Sequence, residues 1–205
     1  MAQPGVLIVL SGPSGTGKGT ICQSLLQNNP QLQYSISATT RAPRPGEQEG
    51  INYWFKSPDE FQQMLIKNQL LEWAEVYGNY YGTPRPYVME TLEAGKDVVL
   101  EIDTQGALKV KDQFPAGIFI FILPPSLEEL AQRIQKRGTE TTESIEKRLG
   151  SATREMACAE QYHYLVVNDT VPAALQRIES IIVAEKCRVE RNLSLVEKIC
   201  NNAPI

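Results

Sequence analysis

The feature that most constrains this chain is a glycine-rich segment, Gly12-Pro13-Ser14-Gly15-Thr16-Gly17-Lys18, set between an apolar run and an amphipathic one. Val6–Leu10 before it is short, β-rich and apolar, the pattern of a strand buried on both faces. Gly19 to Gln27 after it carries Ile21, Leu25 and Leu26 at helical spacing. Glycines between a strand and a helix let the backbone curl until successive N–H groups face a phosphate chain, and the helix amino terminus adds a favourable dipole. Lys18 is placed to reach the outer phosphates of that chain. A turn that merely joins strand to helix needs the glycines but not the lysine. The segment therefore reads as a phosphate-binding P-loop.

The remainder of the chain alternates between strand-like and helix-like segments, the α/β signature. Val98–Ile102 and Phe119–Leu123 read as two more buried strands, and Leu165–Val167 as a fourth. Ser57-Pro58-Asp59-Glu60 announces a helix, with an N-cap serine, a proline at the first helical position and a glutamate at the third. Ser126-Leu127-Glu128-Glu129 repeats the capping pattern, with Leu127, Leu130 and Ile134 as the apolar stripe and Gly138 as the stop. Leu175, Ile178, Ile181 and Ile182 mark a further helix near the carboxyl end, and Asn201 to Ile205 are expected to fray. From about Tyr34 to Val76 the texture changes to short aromatic and β-branched runs, which points to a small β-rich insertion followed by a helix. The expected architecture is a three-layer α/β/α parallel-sheet core carrying that insertion.

Three clusters bear chemistry beyond the loop. Val98-Val99-Leu100-Glu101-Ile102-Asp103 is an apolar strand ending in carboxylates, as a Walker B strand beside a P-loop would be, and alternation places Glu101 and Asp103 on one side of it. Arg41-Ala42-Pro43-Arg44-Pro45-Gly46 puts two arginines on a proline-stiffened loop, suited to gripping a dianionic phosphate through planar forks. Arg133 and Arg137 are four apart and share a helical face, and Arg148 follows in the next helical segment.

The order of motifs around these clusters resembles the guanylate kinases. Ser37-Ala38-Thr39-Thr40-Arg41 through Glu47 opens the likeness. Asn52-Tyr53-Trp54-Phe55, Leu71-Glu72-Trp73-Ala74-Glu75 and Gly78-Asn79-Tyr80-Tyr81-Gly82-Thr83 continue it in the family's order, and the whole runs from about Gly5 to Lys186. The resemblance implies transfer of the γ-phosphoryl group of ATP to GMP, and to dGMP. Arg41, Arg44, Tyr53 and Tyr81 would hold the GMP phosphate, with Glu47 in the same loop. Ser37, Glu72 and Thr83 would read the guanine edge, and Glu101 and Asp103 would face the acceptor nucleotide. Gly12 to Lys18 with Gly19 and Thr20 would bind the ATP phosphates. Lys18, Arg41, Arg133, Arg137 and Arg148 would neutralise and align the transferring group, and Asn168 of Val166-Val167-Asn168-Asp169 would meet the adenine side. Gly19 stands where the P-loop consensus has Ser or Thr, so magnesium coordination falls to Thr20, Asp103, water and the phosphates. Thr83 keeps a hydroxyl where many relatives have Ser, and Glu101 replaces an Asp. The implied division is a core of about 1–33, 97–125 and 159–205, a GMP lobe of about 34–96 and a lid of about 126–158. A phosphopeptide-binding, non-catalytic module of the same family and a kinase for another phosphorylated acceptor are the competing readings.

Bulk properties set broad limits. A net charge of −4 in 205 residues argues against a protein that coats nucleic acid, while leaving room for a local positive cleft. Cys22, Cys158, Cys187 and Cys200 lack paired spacing and His163 is the single histidine, so a structural zinc site is not expected and unpaired thiols fit a reducing compartment. The longest apolar runs are too short to span a bilayer, and no basic, apolar leader opens the sequence. The expectation is a cytoplasmic monomer or small homo-oligomer, with no membrane or nucleic-acid partner.

Overall fold

The structure, a computed structural model, describes residues 4–136 and 142–202, with side chains for all of these except 142–147. The chain builds nine strands, eight α-helices and one short 3-10 helix (Ala157–Gln161) among these residues. Five strands form one all-parallel sheet: β1 (Leu7–Ser11), β2 (Gln33–Tyr34), β7 (Val98–Glu101), β8 (Ile118–Leu123) and β9 (Tyr164–Val167), in the order β2-β7-β1-β8-β9. β1 is central because all five of its residues are buried and can be covered on both faces. Its alternation splits the core in two. Ile8 and Leu10 pack with Ile21 and Leu25 of α1 (Lys18–Asn28) and with Ala174, Ile178 and Ile182 of α7 (Val171–Lys186). Leu7 and Val9 pack with Val88 and Leu92 of α3 (Arg85–Glu93) and with Ala107 and Val110 of α4 (Thr104–Gln113). Helices on both faces of a parallel sheet make the expected three layers.

The β-rich insertion is a second sheet of β4 (Trp54–Phe55), β3 (Ala38–Thr39), β6 (Asn79–Pro84) and β5 (Leu70–Val76), in that order. Its core is Ala38, Phe61 and Leu70, covered by α2 (Pro58–Ile66) with Met64 and Leu65. The capping box read from the sequence is complete: the Glu60 N–H donates to Ser57 Oγ at 3.2 Å and the Ser57 N–H to Glu60 Oε2 at 2.7 Å. β5 and β6 meet in a two-residue turn, Tyr77-Gly78, with both residues at positive φ, the geometry that matches strand twist in a tight hairpin.

The remaining helices differ from expectation in three places. In α5 (Leu127–Lys136), Leu130 and Ile134 are buried against Ala152 of α6 (Thr142–Met156), but Leu127 is exposed and does not join the stripe. Ser126 caps α5 by accepting from the Glu129 N–H at 3.0 Å, while the Glu129 carboxylate turns instead to Arg133. The stop at Gly138 lies outside the described residues. α8 (Val189–Cys200) was not anticipated from the sequence. Its apolar residues Val189, Leu193, Val196 and Ile199 face solvent. Its start is held by charge: the buried Glu185 carboxylate receives Arg188, Arg191 and the Tyr164 hydroxyl.

Ser57→Ala removes one bond of the α2 capping box and is expected to cost about 1 kcal/mol, read as a shifted denaturant midpoint with an unchanged slope.

Candidate functional site

The β1–α1 turn is seated flush on its neighbours. Gly12 has φ 140°, and a Cβ there would lie 2.3 Å from the Ile122 carbonyl oxygen, so the turn can lie against β8 only without a side chain. Gly17 sits in the left-handed region at the N-cap of α1, where a Cβ would lie 2.5 Å from Asn168 Nδ2. Asn168 is buried and its Nδ2 donates to the Thr16 carbonyl at 2.7 Å, while the Thr16 hydroxyl donates to the Pro13 carbonyl at 2.9 Å. Arg133 Nη2 donates to the Asn168 carbonyl at 3.1 Å and its Nε pairs with Glu129 at 2.9 Å. Loop, α5 and the segment after β9 are thereby tied together, and Lys18 Nζ donates to the Gly12 and Pro13 carbonyls at 2.6 and 2.9 Å.

Across from the loop, the insertion presents an arginine–tyrosine cluster. Arg41 Nε donates to the Tyr81 hydroxyl at 3.2 Å and Nη2 to Glu47 Oε1 at 2.9 Å, with its Cζ 5.3 Å from the Tyr53 ring centre. Glu47 also receives the Arg44 N–H at 2.8 Å. Burial works against the Glu47 charge, but the Arg44 N–H and the Arg41 guanidinium outweigh it and hold its carboxyl below the ordinary range. Burial, with Glu101 and Tyr81 adding to it, pushes the Tyr53 phenol up to about 12, so it remains a donor at neutral pH.

Glu72 on β5 and Thr83 on β6 are cross-strand partners, and the Thr83 hydroxyl donates to Glu72 Oε1 at 2.6 Å. Glu72 is 5% exposed. Burial is the main cause that pushes its carboxyl up to about 7; Asp103 adds to the rise, and Thr83 and Lys109 oppose it.

These parts face one cleft of about 250 Å³, walled by Gly12, Ser14, Gly15, Gly17, Lys18 and Gly19 on one side and by Ser37, Arg44, Tyr53, Glu72 and Tyr81 on the other. Glu101, Asp103 and Arg148 are also in the wall. Pro13, Thr16, Thr20, Arg41, Glu47, Thr83, Arg133 and Asn168 stand outside the lining, and Arg137 lies outside the described residues. Thr20 is exposed on the first turn of α1. Asp103 does not continue the strand alternation: β7 ends at Glu101, and Asp103 caps α4 by accepting the Gln105 and Gly106 N–H groups at 2.8 and 3.2 Å.

Three residues at the site were not anticipated. Tyr77 at the hairpin tip carries Arg148 Cζ 5.7 Å from its ring centre, which brings α6 onto the insertion. Glu155, two helical turns beyond Arg148 on α6, lines the same cleft. Burial pushes its carboxyl up while Lys18 draws it back. Gly106 abuts Glu72. Only the seven-residue spacing of Arg148 and Glu155 could have been read in advance. His163 lies away from the cleft, edge-on to Phe119 near the start of β8.

A parallel α/β sheet with a glycine loop at the carboxyl end of its central strand, facing a second lobe across a cleft, defines a P-loop kinase-type fold. A crystal structure of a sugar kinase from Janibacter sp. shares that fold, with a TM-score of 0.51 and 15% identity over 86% of this chain and 94% of that one. Residues 5–185 match the guanylate kinase family model. Guanylate kinases of Desulfitobacterium hafniense and Caldanaerobacter subterraneus are 60% and 59% identical to the chain, over 91% and 95% of it and 94% and 95% of their own lengths. The crystal structure of guanylate kinase from Anaplasma phagocytophilum aligns with a TM-score of 0.78 at 34% identity, covering 93% of this chain and 91% of that one. The chain belongs to the guanylate kinase family.

Because burial pushes the Glu72 carboxyl up to about 7 from the ordinary 4.5, the folded state keeps a proton that the unfolded chain releases. Stability of the nucleotide-free protein should therefore fall as pH rises through that window, by up to about 3 kcal/mol. Glu72→Gln should flatten the pH dependence, as read from denaturant midpoints at pH 5 and pH 8.

Proposed function

We propose that the chain transfers the γ-phosphoryl group of ATP to GMP, and to dGMP, by in-line displacement within this cleft. The observation that carries the reading is Glu72, buried and held from behind by Thr83, lining the same cleft as Lys18. A carboxylate accepts from guanine N1–H and the exocyclic amine, the Ser37 hydroxyl would donate to O6, and the Thr83 hydroxyl, whose one hydrogen goes to Glu72 Oε1, holds that carboxylate at the guanine edge. Adenine offers the opposite pattern and would leave buried polar groups unpaired, which discriminates strongly between bases. Arg41, Arg44, Tyr53 and Tyr81, with Glu47 fixing Arg41, would grip the GMP phosphate opposite the loop.

Phosphoryl transfer rests on alignment and charge neutralisation more than on proton transfer, so no general base is assigned. Gly12 to Gly17, Lys18, Gly19 and Thr20 would cradle the ATP phosphates. Lys18 and Arg148 would stabilise the transferring charge from the cleft wall, and Arg137 would join them from the lid. Arg133 and Asn168 hold the loop by hydrogen bonds in this structure, which supports a role for both on the ATP side. The division of labour follows the two sheets and α5–α6: a core of about 1–33, 97–125 and 159–205, a GMP lobe of about 34–96 and a lid of about 126–158.

A magnesium ion would be carried chiefly by phosphates and water. Hard oxygen donors Glu101 and Asp103 line the cleft, and among the described residues no cluster of three or more metal-ligating side chains comes together. Asp103, with Thr20 on the first turn of α1, would support it. The ion supplies charge neutralisation at the β- and γ-phosphates. No helix among the described residues is long and apolar enough to cross a membrane, and cytoplasmic purine nucleotide metabolism is the proposed setting.

Comparing GMP, dGMP, AMP, CMP and UMP in a coupled ADP-release assay should give turnover with the two guanine nucleotides alone. Turnover with AMP equal to that with GMP overturns the base assignment. Lys18→Ala is expected to lower kcat by about a thousandfold while calorimetry shows GMP binding nearly intact. Near-normal steady-state activity in that variant removes Lys18 from the chemistry.

A further inference from the structure

The carboxylate of Glu72 stands where it does because of a space left open on α4. A Cβ built on Gly106 would stand 2.5 Å from Glu72 Oε2 and 3.0 Å from its Cδ. Real side chains do not approach so closely, so a methyl group and this carboxylate cannot share the space. The φ of Gly106 is not in the left-handed range, and its helical backbone would accept alanine without strain. The glycine is thus required by what lies against it and not by its own conformation.

Neither wall can retreat. α4 is fixed to the parallel sheet by buried Ala107 and Val110, and its first turn is held by Asp103, whose carboxylate accepts the Gly106 N–H. The same helix is stitched to β5 at the two residues that flank Glu72. Gln113 Nε2 donates to the Leu71 carbonyl at 2.9 Å, and Lys109 Nζ donates to the Trp73 carbonyl. On the other side, Glu72 Oε1 is engaged by Thr83. The movable part is the carboxylate alone.

We propose that Gly106 is a specificity-determining position: by having no side chain it sets where the Glu72 carboxylate stands, and α4 acts as the rigid back of the guanine-reading site. This rests on the reading of Glu72 as the guanine contact. Gly106→Ala would push Oε2 out of line with the guanine N1–H and 2-amine and leave the ATP side, on the far wall of the cleft, untouched. Gly106 is a positioning residue, since it meets no substrate atom.

The test is steady-state kinetics of Gly106→Ala, Glu72→Ala, Glu72→Asp and the Gly106→Ala/Glu72→Asp double variant, with GMP and with inosine monophosphate, which lacks the 2-amine. Gly106→Ala should raise the KM for GMP about tenfold, leave the KM for ATP unchanged and narrow the preference for GMP over inosine monophosphate. In the Glu72→Asp background, where the shorter acid leaves room for the methyl group, the same alanine should add little, the non-additivity expected of touching residues. A GMP KM unmoved by Gly106→Ala but raised by Glu72→Ala overturns the proposal and leaves the guanine reading standing. An unmoved GMP KM in Glu72→Ala overturns the reading itself. Equal losses toward ATP and GMP, or a lowered melting temperature with full additivity in the double variant, show a merely structural glycine and also overturn the proposal.

Discussion

The close seating of the β1–α1 turn is the constraint on which the site depends. β1 is buried on both faces, so its chain can leave only at the carboxyl edge of the sheet, and the next residue, Gly12, must pass within touching distance of the Ile122 carbonyl. Once the turn is pressed there, its position is shared by every element that borders it. Asn168 after β9 and Arg133 on α5 bind its Thr16 carbonyl and each other, and Leu130 and Ile134 lie beneath Gly15. A displacement of α5 is therefore a displacement of the loop, and packing density is what transmits it.

The opposite wall follows a different logic. The phosphate loop is held by backbone geometry, whereas the insertion is held by polar side chains that satisfy one another: Arg41 with Glu47 and Tyr81, Glu72 with Thr83. Such networks are strong when complete and costly when broken. Glu72 illustrates the tension, since the burial that would make it selective in the proposed guanine site also raises its proton affinity. A site tuned this way trades resting stability for discrimination, as polar groups aimed at a ligand commonly do.

Much of this was legible in the sequence, and the failures have physical causes. Periodicity located β1, α1, β7, β8 and α7 because each has one dominant apolar pattern, and Ser57 and Ser126 marked helix starts because capping is local chemistry. Alternation placed Glu101 and Asp103 on one side, and both line the cleft, but Asp103 gets there as the cap of α4, the strand having ended two residues earlier at Glu101. Leu127 fits a helical stripe by spacing, yet α5 buries only two of the stripe's three residues. α8 was missed although Val189, Leu193, Val196 and Ile199 recur at helical spacing; that stripe meets no core, and what docks the helix is Glu185 with two arginines and a tyrosine. Tyr77 and Gly106 owe their roles to partners far away in sequence, Arg148 and Glu72, which no local pattern reveals.

Lys18, bonded to the Gly12 and Pro13 carbonyls, has a kinetic corollary. The ammonium is already folded over the loop, so the turn would need no ordering to receive the proposed triphosphate. Binding becomes an exchange of acceptors, with phosphate oxygens taking over from peptide carbonyls, and the entropic cost of shaping the cradle falls on protein folding instead of on each catalytic cycle. Encounter at this wall would then be set by diffusion and the local field.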